Sequence, residues 1–560
     1  MNDRIRQSIG ESGTNHAKCA RALHARRFAV AALVAAAAVA SIAGCGGSGQ
    51  PGENPDQFTK THLRRGLGGE PGSLDPAAAV DTFSMEVLGD LYEGLTSETP
   101  DGTVAPGVAS SWEVDETGRR YTFHIRSDAR WSNGQPVRAG DFVSAWRRVV
   151  DPKTGSAVAY NLRLIEGAEA IIAGQAPATS LGVSAPSDRE LEVQLVKPAP
   201  FFPQLLAHSS TFPIFSVETT QSHGGESWVS NGAYTLGAWS PGHELRLMRN
   251  PFYWARQSVR IDRVTYVPVS DENAQLRQYR AGQLDLTESV PPGSVAMVRQ
   301  SIPRELHIAP YLGTSYYAFN LHRGPFRDSV DLRQALTMAV DRRSQMASLL
   351  QFGEQPAYGF VPVGIWNYQP QVWAWKDWPD RERRAEAQRL YAKAGYSSKK
   401  PLHVVVLYNS SAVIKQLAIG IAAMWKETLG VDTELVDEEY RVFLTSRKDP
   451  NRWDIVRLGW TADFNDASNF LDILRSGSPN NDAGYHNAVY DSLVDQAAAT
   501  AEAGARRALL EHAESVMLAD YPIIPLYVFS ANRLVKPYVS GVVANPLNRL
   551  HSKDLSIAPH

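Results

Sequence analysis

The sequence predicts an α/β protein that is divided into several domains. At 560 residues, the chain exceeds the size at which a single hydrophobic core stops growing. Between about residues 400 and 461, buried strands alternate with helical segments, which is typical of βαβ units and a parallel sheet. Two long apolar strands, 305–320 and 521–535, lie on either side of this block. These three observations predict one lobe inserted into another through two crossings, which can act as hinges.

The N-terminal segment has the composition of a secretory signal. Residues 28–44, FAVAALVAAAAVASIAG, form an apolar run that follows Arg26 and Arg27. A basic start, a short apolar middle and small residues before a break are typical of such signals, and this run is marginal for a spanning helix. It ends in IAGC, which resembles a bacterial lipobox, so we predict a lipoprotein signal peptide over 1–44 with Cys45 acylated. An ordinary cleaved signal and an uncleaved anchor are the alternatives.

Removal of that signal determines how the exported chain is held together. Residues 45–60 are rich in glycine and polar residues, which predicts a flexible tether. Of the two cysteines, Cys19 would leave with the signal and Cys45 would carry lipid, so no internal disulfide can form. The several acyl chains of a lipoprotein bind a membrane stably. We therefore expect an exported, lipid-anchored protein whose fold depends on its core alone.

Residues 120–150 predict a strand, a tight turn and a helix. Three apolar residues alternate with polar ones, as in a half-buried strand: Tyr121, Phe123 and Ile125. Asn133-Gly134 is a strong signal for a tight turn. Asp141 is expected to be the N-cap of the helix that follows. Apolar residues then recur on one face of that helix: Phe142, Val143, Trp146 and Val149.

The second half of the chain predicts the elements of one lobe in order. Residues 329–350 have apolar side chains at helical spacing. A buried strand over 402–411 leads into a helix over 412–430, and 431–444 predicts a strand and the start of another helix. Residues 453–461 predict the next strand of the same parallel sheet.

The end of that last strand carries the residues that indicate a binding site. The segment WDIVRLGWTADFND, 453–466, places Arg457 and Asp463 six residues apart, with Gly459 and Trp460 between them. Open α/β sheets bind ligands at the carboxyl ends of their strands, so a cation, an acid and a small residue there are candidates for ligand contact. A structural ion pair or a solvated loop acid is the alternative for the two charges.

The chain lacks the motifs on which most enzyme assignments depend. It has no H-E-x-x-H, no paired C-x-x-C and no G-x-S-x-G. In GLGGEPG, Pro71 stands where a dinucleotide-binding loop needs its third glycine, and the glycines beside His223 lack the lysine of a phosphate loop. We expect His486 to be a surface or hydrogen-bonded histidine. The net charge of −3 gives no indication of nucleic-acid binding. These observations favour a binding protein over an enzyme.

Seven stretches, taken in order, resemble one protein family. They are EPGSLDP (70–76), LYEGL (91–95), GVASSWEV (107–114), YTFHIRSDARWSNGQPVRAGDF (121–142), RNPFYW (249–254), YRAGQLDL (279–286) and GWTADFND (459–466). The ordered set resembles the family 5 extracellular solute-binding proteins of ABC importers, in particular their oligopeptide-binding members. The resemblance covers nearly all of the chain that follows the predicted tether. It implies a bilobed type II periplasmic-binding-protein fold (a venus flytrap) with an extra domain, two hinge crossings and no catalysis.

The resemblance also implies how the chain is divided. Lobe I is expected to comprise 61–82, 210–312 and 530–560, and the extra domain 83–209. Lobe II is expected to comprise 313–529. The ligand would be engulfed between the lobes, and the closed form would dock on a membrane permease.

A peptide cleft needs an acid for one end of its ligand and a cation for the other, because a free peptide is a zwitterion. By resemblance, Asp463 takes the place of the family acid that receives the peptide α-ammonium, and Arg457 that of a residue that helps to receive the carboxylate of short peptides. Backbone groups of Gly459 and Thr461 could pair with an extended peptide. The remaining implied positions are Glu70 and Gly72 in the opposite wall, Asn409, Tyr440, Tyr316 and Trp460. For the last two, a place in the core is the alternative.

Two positions depart from the family pattern. The family has a histidine that helps to receive the carboxylate of longer peptides, and Ile414 stands at that position here, which favours di- and tripeptides. An oligopeptide binder of the family has a cysteine pair where this chain has Gly313 and Thr461. No disulfide can form there, so we expect a looser cleft.

Together these observations predict a substrate-binding lipoprotein that captures short peptides without a cofactor or metal. We expect it to deliver them to the permease and ATPase complex of an ABC importer in the inner membrane. We expect a monomer that binds no nucleic acid and is anchored through Cys45 on the periplasmic side of the cell envelope. The alternatives are the same fold with another cargo, such as a murein peptide, a nickel chelate, heme or an oligosaccharide, or else a secreted hydrolase or a chaperone-like binding protein.

Overall fold

The computed structural model describes residues 61–216, 228–344 and 352–560. The predicted signal peptide over 1–44 and the predicted tether over 45–60 lie outside the described residues, and so do the lipidation site Cys45 and His223. Nothing in the structure therefore bears on the predicted anchor.

The described chain alternates between strands and helices throughout. The strands are β1 (His62–Leu67), β2 (Thr96–Glu98), β3 (Val104–Pro106), β4 (Ala109–Val114), β5 (Arg120–Ile125), β6 (Val183–Ser187), β7 (Glu190–Gln194), β8 (Tyr234–Ser240), β9 (Glu244–Arg249), β10 (Arg263–Pro268), β11 (Leu306–Phe319), β12 (Gln355–Pro356), β13 (His403–Asn409), β14 (Asp432–Glu438), β15 (Ile455–Thr461), β16 (Ile523–Leu534), β17 (Val539–Ser540) and β18 (Ser556–Ile557). The α-helices are α1 (Thr82–Leu91), α2 (Ala139–Val150), α3 (Ala168–Ile172), α4 (Phe202–Leu205), α5 (Glu272–Arg280), α6 (Val295–Ser301), α7 (Val330–Ala339), α8 (Asp380–Lys393), α9 (Ala412–Leu429), α10 (Tyr440–Ser446), α11 (Ser468–Leu471), α12 (Ala488–Ala499) and α13 (Ala503–Asp520).

Two four-stranded sheets lie in the first half of the chain. Lobe I is built on the sheet with the strand order β1-β10-β9-β8, in which β1 runs parallel to β10. The extra domain is built on the antiparallel sheet β4-β5-β7-β6, which α2 covers. The alternating residues of β5 are buried as predicted: Tyr121, Phe123 and Ile125.

The start of α2 corrects one sequence prediction. The helix begins at Ala139, so Asp141 is its third residue and not its N-cap. Its carboxylate accepts the backbone N–H of Arg138 at 2.8 Å and the indole N–H of Trp131 at 3.0 Å. An acid at the third position can reach back to the N-cap N–H, which satisfies one of the unpaired donors of the first turn.

Lobe II is built on a six-stranded sheet with the strand order β12-β16-β11-β15-β13-β14. β13 runs parallel to both β14 and β15, so the predicted parallel unit is confirmed. The helix predicted over 329–350 begins at Val330 and ends at Ala339, and 345–351 lie outside the described residues.

The two long apolar strands pass between the lobes, as predicted. β11 and β16 pair antiparallel, from Leu306 opposite Leu534 to Ala318 opposite Ile523. At their lobe I end, Leu286 bridges both Val535 and Arg65 of β1, so the crossing strands reach the lobe I sheet. The bounds between the lobes and the extra domain stay predictions.

Each lobe has its own core. Of the buried apolar clusters among the described residues, one large cluster joins lobe I and the extra domain, and a second fills lobe II. Since each lobe has a separate core and β11 and β16 cross from one to the other, the architecture is bilobed and the crossing strands are the natural hinge.

Candidate functional site

The carboxyl ends of three parallel strands bring several predicted site residues to one edge of lobe II. Asn409 is the last residue of β13, Tyr440 follows β14 and Asp463 follows β15. Because β13, β14 and β15 run parallel, these ends meet at the same edge, where open α/β sheets bind their ligands. Tyr440 is 57% exposed at this edge.

β15 has an open backbone edge beside Asn409. It pairs with β11 along its whole length, from Ile455 to Thr461. On its other side, its pairs with β13 end at Val456, opposite Leu407. β13 continues to Asn409, but among the described residues it forms no pair with β15 beyond Val456, so the backbone of Arg457–Thr461 on that side is available to an added peptide strand.

Arg457 contacts neutral groups within lobe II. Its guanidinium donates to Asn409 Oδ1 at 3.3 Å and lies 3.5 Å from Ser315 Oγ. The structure thus brings together two of the predicted site residues. Neither contact neutralises the charge, so the guanidinium is available for a carboxylate.

Asp463 is a partly buried acid at the other end of the same segment. Burial raises the pKa of its carboxyl, and the charge of Arg549 and a hydrogen bond to Asn469 lower that pKa in part. A raised pKa means that the charged form is poorly solvated where it stands. An incoming ammonium would supply the missing stabilisation. Asp463 and Arg457 have different partners, which argues against the alternative of an ion pair between them.

Arg549 positions Asp463 from the lobe I side. Its Nη2 donates to the backbone carbonyl of Asp463 at 3.0 Å, and its Nη1 pairs with Glu98 at 2.9 Å. Glu98 is buried and also accepts Asn545 Nδ2 at 2.7 Å. Arg549 thus fixes the backbone of Asp463 through the carbonyl, and its charge offsets only part of the rise that burial causes in the pKa of the carboxyl.

Trp460 lies on the opposite face of β15 from Arg457 and Gly459, because side chains alternate along a strand. Its ring packs against the lobe II core, and its indole N–H donates to Asn469 Oδ1 at 2.8 Å. The same oxygen accepts the backbone N–H of Asp463 at 3.3 Å. Trp460 therefore helps to position Asp463 by holding the Asn469 side chain that both residues contact.

The ring of Phe529 covers the glycines of this face. A Cβ added at Gly313 would lie 2.2 Å from Phe529 Cδ2, and one at Gly459 would lie 3.1 Å from Phe529 Cζ. Gly313 stands directly opposite Thr461 in the register of β11 and β15. We expected a looser cleft because no disulfide can form between positions 313 and 461. The ring of Phe529 fills the space beside Gly313.

Tyr316 does not reach the cleft surface. It is 3% exposed and packs edge-on against Phe360, with ring centroids 5.0 Å apart, inside the lobe II core. The hypothesis of a ligand contact at Tyr316 is therefore corrected to the core alternative. Its neighbours Ser315 and Tyr317 lie on the face that carries Arg457.

Glu70 and Gly72 follow β1 in lobe I. The Glu70 carboxylate accepts the indole N–H of Trp239 at 2.6 Å and the backbone N–H of Gly242 at 3.0 Å. The Gly72 N–H donates to Asp81 at 3.2 Å. Both are exposed, and they remain predicted contacts of the opposite wall.

Ile414 is buried at the start of α9. It is 9% exposed and packs with Tyr408 and Ala418 in a small apolar cluster. An aliphatic side chain in this place offers no partner to a carboxylate. The preference for di- and tripeptides stays a prediction.

The sequence did not indicate three further residues near Asp463 and Arg457. Arg549 and Phe529 come from the C-terminal part of the chain, and Tyr160 from the extra domain. Tyr160 is 46% exposed, and partial burial and then the charge of Asp463 raise the pKa of its phenol to about 12. No local pattern connects such distant segments.

The described residues give no indication of a metal centre or of a membrane span. Across 61–216, 228–344 and 352–560, no three or more His, Cys, Asp or Glu side chains are placed to hold a metal ion. In the same ranges, every helix falls short of the length and apolar content needed to cross a bilayer.

Comparison with known proteins agrees with this architecture. The family model described as bacterial extracellular solute-binding proteins, family 5 middle, matches residues 103–482. The chain is 38% identical over 514 residues to the periplasmic oligopeptide-binding protein OppA of Escherichia coli (strain K12), covering 90% of this chain and 93% of that protein. It is 37% identical over 510 residues to the periplasmic murein peptide-binding protein MppA of the same strain, covering 90% of this chain and 94% of that protein.

A solved structure shares the whole fold. The periplasmic murein tripeptide-binding protein MppA in its unliganded open form superposes with a TM-score of 0.80 at 36% identity. The superposition covers 89% of this chain and 98% of that one.

Proposed function

The chain belongs to the family 5 bacterial extracellular solute-binding proteins, and from that premise we propose that it captures short peptides between its lobes and delivers them to the permease of an ABC importer. Two relatives are binding proteins for oligopeptides and for murein peptides. A free peptide, with an ammonium at one end and a carboxylate at the other, is the chemistry that both cargoes share.

One observation carries the assignment of the peptide ends. Asp463, whose pKa burial raises, and Arg457, which contacts neutral groups among the described residues, stand at the two ends of the open edge of β15. A peptide laid along this edge would pair its backbone with the strand, give its ammonium to Asp463 and give its carboxylate to Arg457. Backbone pairing is independent of side-chain identity, which suits a binder of many sequences.

The separation of the two charges limits the length of the ligand. Six residues of extended chain span about 20 Å at most. The arginine side chain reaches over part of that distance, and an extended peptide spans about 3.3 Å per residue. Peptides of about two to five residues fit these limits.

The remaining parts of the proposal follow from the family and from the sequence. We propose that the protein acts without catalysis, as a monomer, on the outer side of the cytoplasmic membrane. The lipid anchor at Cys45 belongs to this proposal, because that residue lies outside the described chain. A peptide contacts both lobes only when they close, so binding would shift the population toward the closed form.

Mass spectrometry of the retained cargo tests the proposed function first. The protein is purified in mild detergent from the envelope of its host and denatured, and the released small molecules are identified. We expect a mixture of peptides about two to five residues long with free amino and carboxyl ends, because the affinity should be about 1 μM or tighter. Release of a single non-peptide compound would keep the family and overturn the cargo. The cargo would then be sought among the other ligands considered for this fold, such as a nickel chelate, heme or an oligosaccharide.

A further inference from the structure

The connection between β9 and β10 makes one end of lobe I basic. Residues 249–263, RNPFYWARQSVRIDR, carry four arginines and one acid, although the whole chain has a net charge of −3. Arg249 pairs with that acid, Asp262, at 2.8 Å. The other three arginines are exposed or half-buried and form no ion pair among the described residues: Arg256, Arg260 and Arg263. We call the surface that these three define the basic end of lobe I.

The predicted tether joins the described chain beside this surface. Thr61 is the first described residue, and its carbonyl accepts the backbone N–H of Asp262 at 2.9 Å and that of Arg263 at 3.3 Å. His62, the first residue of β1, stands opposite Arg263 in the register of β1 and β10. The basic end therefore surrounds the point at which the tether leaves the lobe.

The length of the tether keeps this surface close to any membrane that holds Cys45. The tether spans 45–60, which is 16 residues, and its composition predicts a mean end-to-end distance of about 20–25 Å. Even when fully extended, it reaches no further than about 55 Å. A surface confined in this way meets the bilayer at a high effective concentration, so weak contacts suffice to hold it there.

The opposite end of β1 leads to the cleft. Glu70 and Gly72, the predicted contacts of the lobe I wall, follow β1, whereas Thr61 precedes it. A strand of 6 residues spans about 20 Å. A bilayer against the basic end would therefore leave the lobe I wall of the cleft on the side away from the membrane.

We propose that the basic end of lobe I binds the anionic phospholipid headgroups of the membrane that holds the anchor. This inference rests on the proposed anchor at Cys45, and it does not depend on the cargo. Guanidinium groups match phosphate geometry, and an anionic bilayer attracts basic side chains within a Debye length of its surface. Phe252, in the same connection, is 43% exposed and adds an aromatic ring suited to the headgroup layer. The tethered protein then rests with its cleft turned away from the bilayer and open to peptides.

Quenching by lipids measures this contact on the full lipidated protein in reconstituted vesicles. The vesicles contain phosphatidylcholine, with or without about 30% phosphatidylglycerol, and a lipid with a nitroxide on its headgroup. A fluorophore on Gln257→Cys reports the basic end, because Gln257 is exposed between Arg256 and Arg260. A fluorophore on Val80→Cys reports the cleft end of the lobe, because Val80 is 59% exposed and precedes Asp81, which accepts the Gly72 N–H.

The label at position 257 should be quenched at least about threefold more in anionic than in neutral vesicles, and about 0.5 M salt should remove the difference. The label at position 80 should show no such difference. Combining Arg256→Gln, Arg260→Gln and Arg263→Gln should return the quenching to its value in neutral vesicles, since each arginine near an anionic surface changes the equilibrium about fivefold.

A variant with the same change of charge in lobe II is the matched control. It replaces three exposed cations by glutamine: Arg381, Lys399 and Lys400. This variant should keep the quenching of the parent protein. Should the triple variant of the basic end fail to fold, Arg256→Gln with Arg260→Gln replaces it, because both side chains are exposed, and a smaller change of the same sign is expected.

Three results would overturn the proposal. They are equal quenching at position 257 in neutral and anionic vesicles, a loss of quenching that the lobe II control shares, and equal quenching at positions 257 and 80 in anionic vesicles. A failure of the anchor is distinguishable, because the protein would then not sediment with neutral vesicles in about 0.5 M salt, and the inference would fall with it. A failure of the proposed cargo would leave the quenching unchanged.

Discussion

The two charged residues of the site differ in how many parts of the molecule supply their partners. At one end, Asp463 stands beyond its strand and hydrogen-bonds to Arg549 from lobe I and Asn469 from lobe II, and after burial its charge raises the pKa of Tyr160 in the extra domain. At the other end, Arg457 lies within β15, and its partners Asn409 and Ser315 both belong to lobe II.

This difference indicates that the two ends discriminate to different degrees. The backbone of Asp463 is fixed by hydrogen bonds at its N–H and at its carbonyl, so the carboxylate has little freedom to follow a displaced ligand. The Arg457 guanidinium ends a long, flexible side chain, and both of its contacts, at 3.3 and 3.5 Å, are with neutral side-chain groups, so a ligand carboxylate can replace them. We therefore expect strict recognition of the amino end of a peptide and tolerance at its carboxyl end.

The largest effect should come from Asp463→Asn. The change keeps the shape of the side chain and removes the charge that a peptide ammonium needs. Loss of one partner of a desolvated charge pair costs about 2–5 kcal/mol, so the affinity for a free tripeptide should fall about 30-fold or more. Titration calorimetry at neutral pH measures the change. The temperature of thermal unfolding should stay the same or rise, because the variant no longer buries a charge.

Asp128→Asn serves as the matched control for that experiment. Asp128 is exposed in the extra domain, and its substitution should leave the affinity within about twofold. Equal affinities of Asp463→Asn and the parent protein would contradict the placement of the ammonium.

The pH dependence of binding sharpens the comparison, because only the Asp463 end titrates in acid. The pKa of Asp463 is raised in the free protein, and a bound ammonium would lower it. Binding then releases a proton whenever Asp463 is protonated in the free state. The affinity should be constant above the free-state pKa and should fall up to about tenfold per pH unit below it. Calorimetric titrations from about pH 7 down to about pH 4 would measure this. Asp463→Asn should lose this dependence, whereas Arg457→Gln should keep it.

The acid stability of the fold must be measured beside that profile. Burial and then the charge of Arg549 lower the pKa of His208 to about 3, and its Nδ1 accepts the backbone N–H of Ser210 at 3.2 Å. An unfolded histidine takes up a proton near pH 6.5, so the contribution of His208 is fully present above that pH and is lost as the pH falls toward the folded pKa. Lowering the pH from about 6.5 to about 5 should therefore decrease the free energy of unfolding by about 2 kcal/mol. Urea titrations at both pH values measure it, and a binding profile that followed the unfolding profile would remove the support for Asp463.

A smaller effect is expected at the carboxyl end. Arg457→Gln should weaken the binding of a free tripeptide about tenfold, since the exchangeable arginine contributes less than the fixed acid. The parent protein should bind the C-terminal amide of the same peptide about tenfold more weakly than the acid. The variant should bind the amide and the acid equally well. If the variant lost the same factor for both peptides, Arg457 would brace the lobe and not bind the carboxylate.

The elements of lobe II could be predicted from the sequence because their signals are local. The strand over 402–411 and the helix over 412–430 show their periodicity within one segment, and the parallel sheet follows from their alternation. The carboxyl ends of parallel strands share an edge, so the alternation also predicts that ligand contacts lie at that edge, whereas Asn409 was expected there only by resemblance to the family. The order of the strands could not be predicted, because β11 and β16 enter the sheet from distant parts of the chain.

The contacts that complete the site have no local signal. Arg549 meets Asp463 across 86 residues of sequence, and Phe529 covers Gly313 across more than 200. The sequence also does not indicate which side chains of a fully buried strand face the cleft, because both faces of such a strand are apolar and show no alternation. In β11, for example, Tyr316 lies in the core, although the sequence also allowed it a place in the cleft.

Trp460→Phe should have the smallest effect, and it tests how the fixed end is held. Phenylalanine keeps an aromatic ring on the core face and removes the indole N–H that Asn469 Oδ1 accepts at 2.8 Å. One neutral hydrogen bond contributes about 1 kcal/mol, so we expect a free tripeptide to bind about fivefold more weakly. An N-acetyl tripeptide, which has no ammonium, should bind the parent protein and the variant alike in a titration series. Trp378→Phe is the matched control, since Trp378 is 44% exposed in lobe II. Equal losses for the free and the acetylated peptide would mean that Trp460 contacts the ligand itself, and the rigidity of the Asp463 end would then have to come from Arg549 alone.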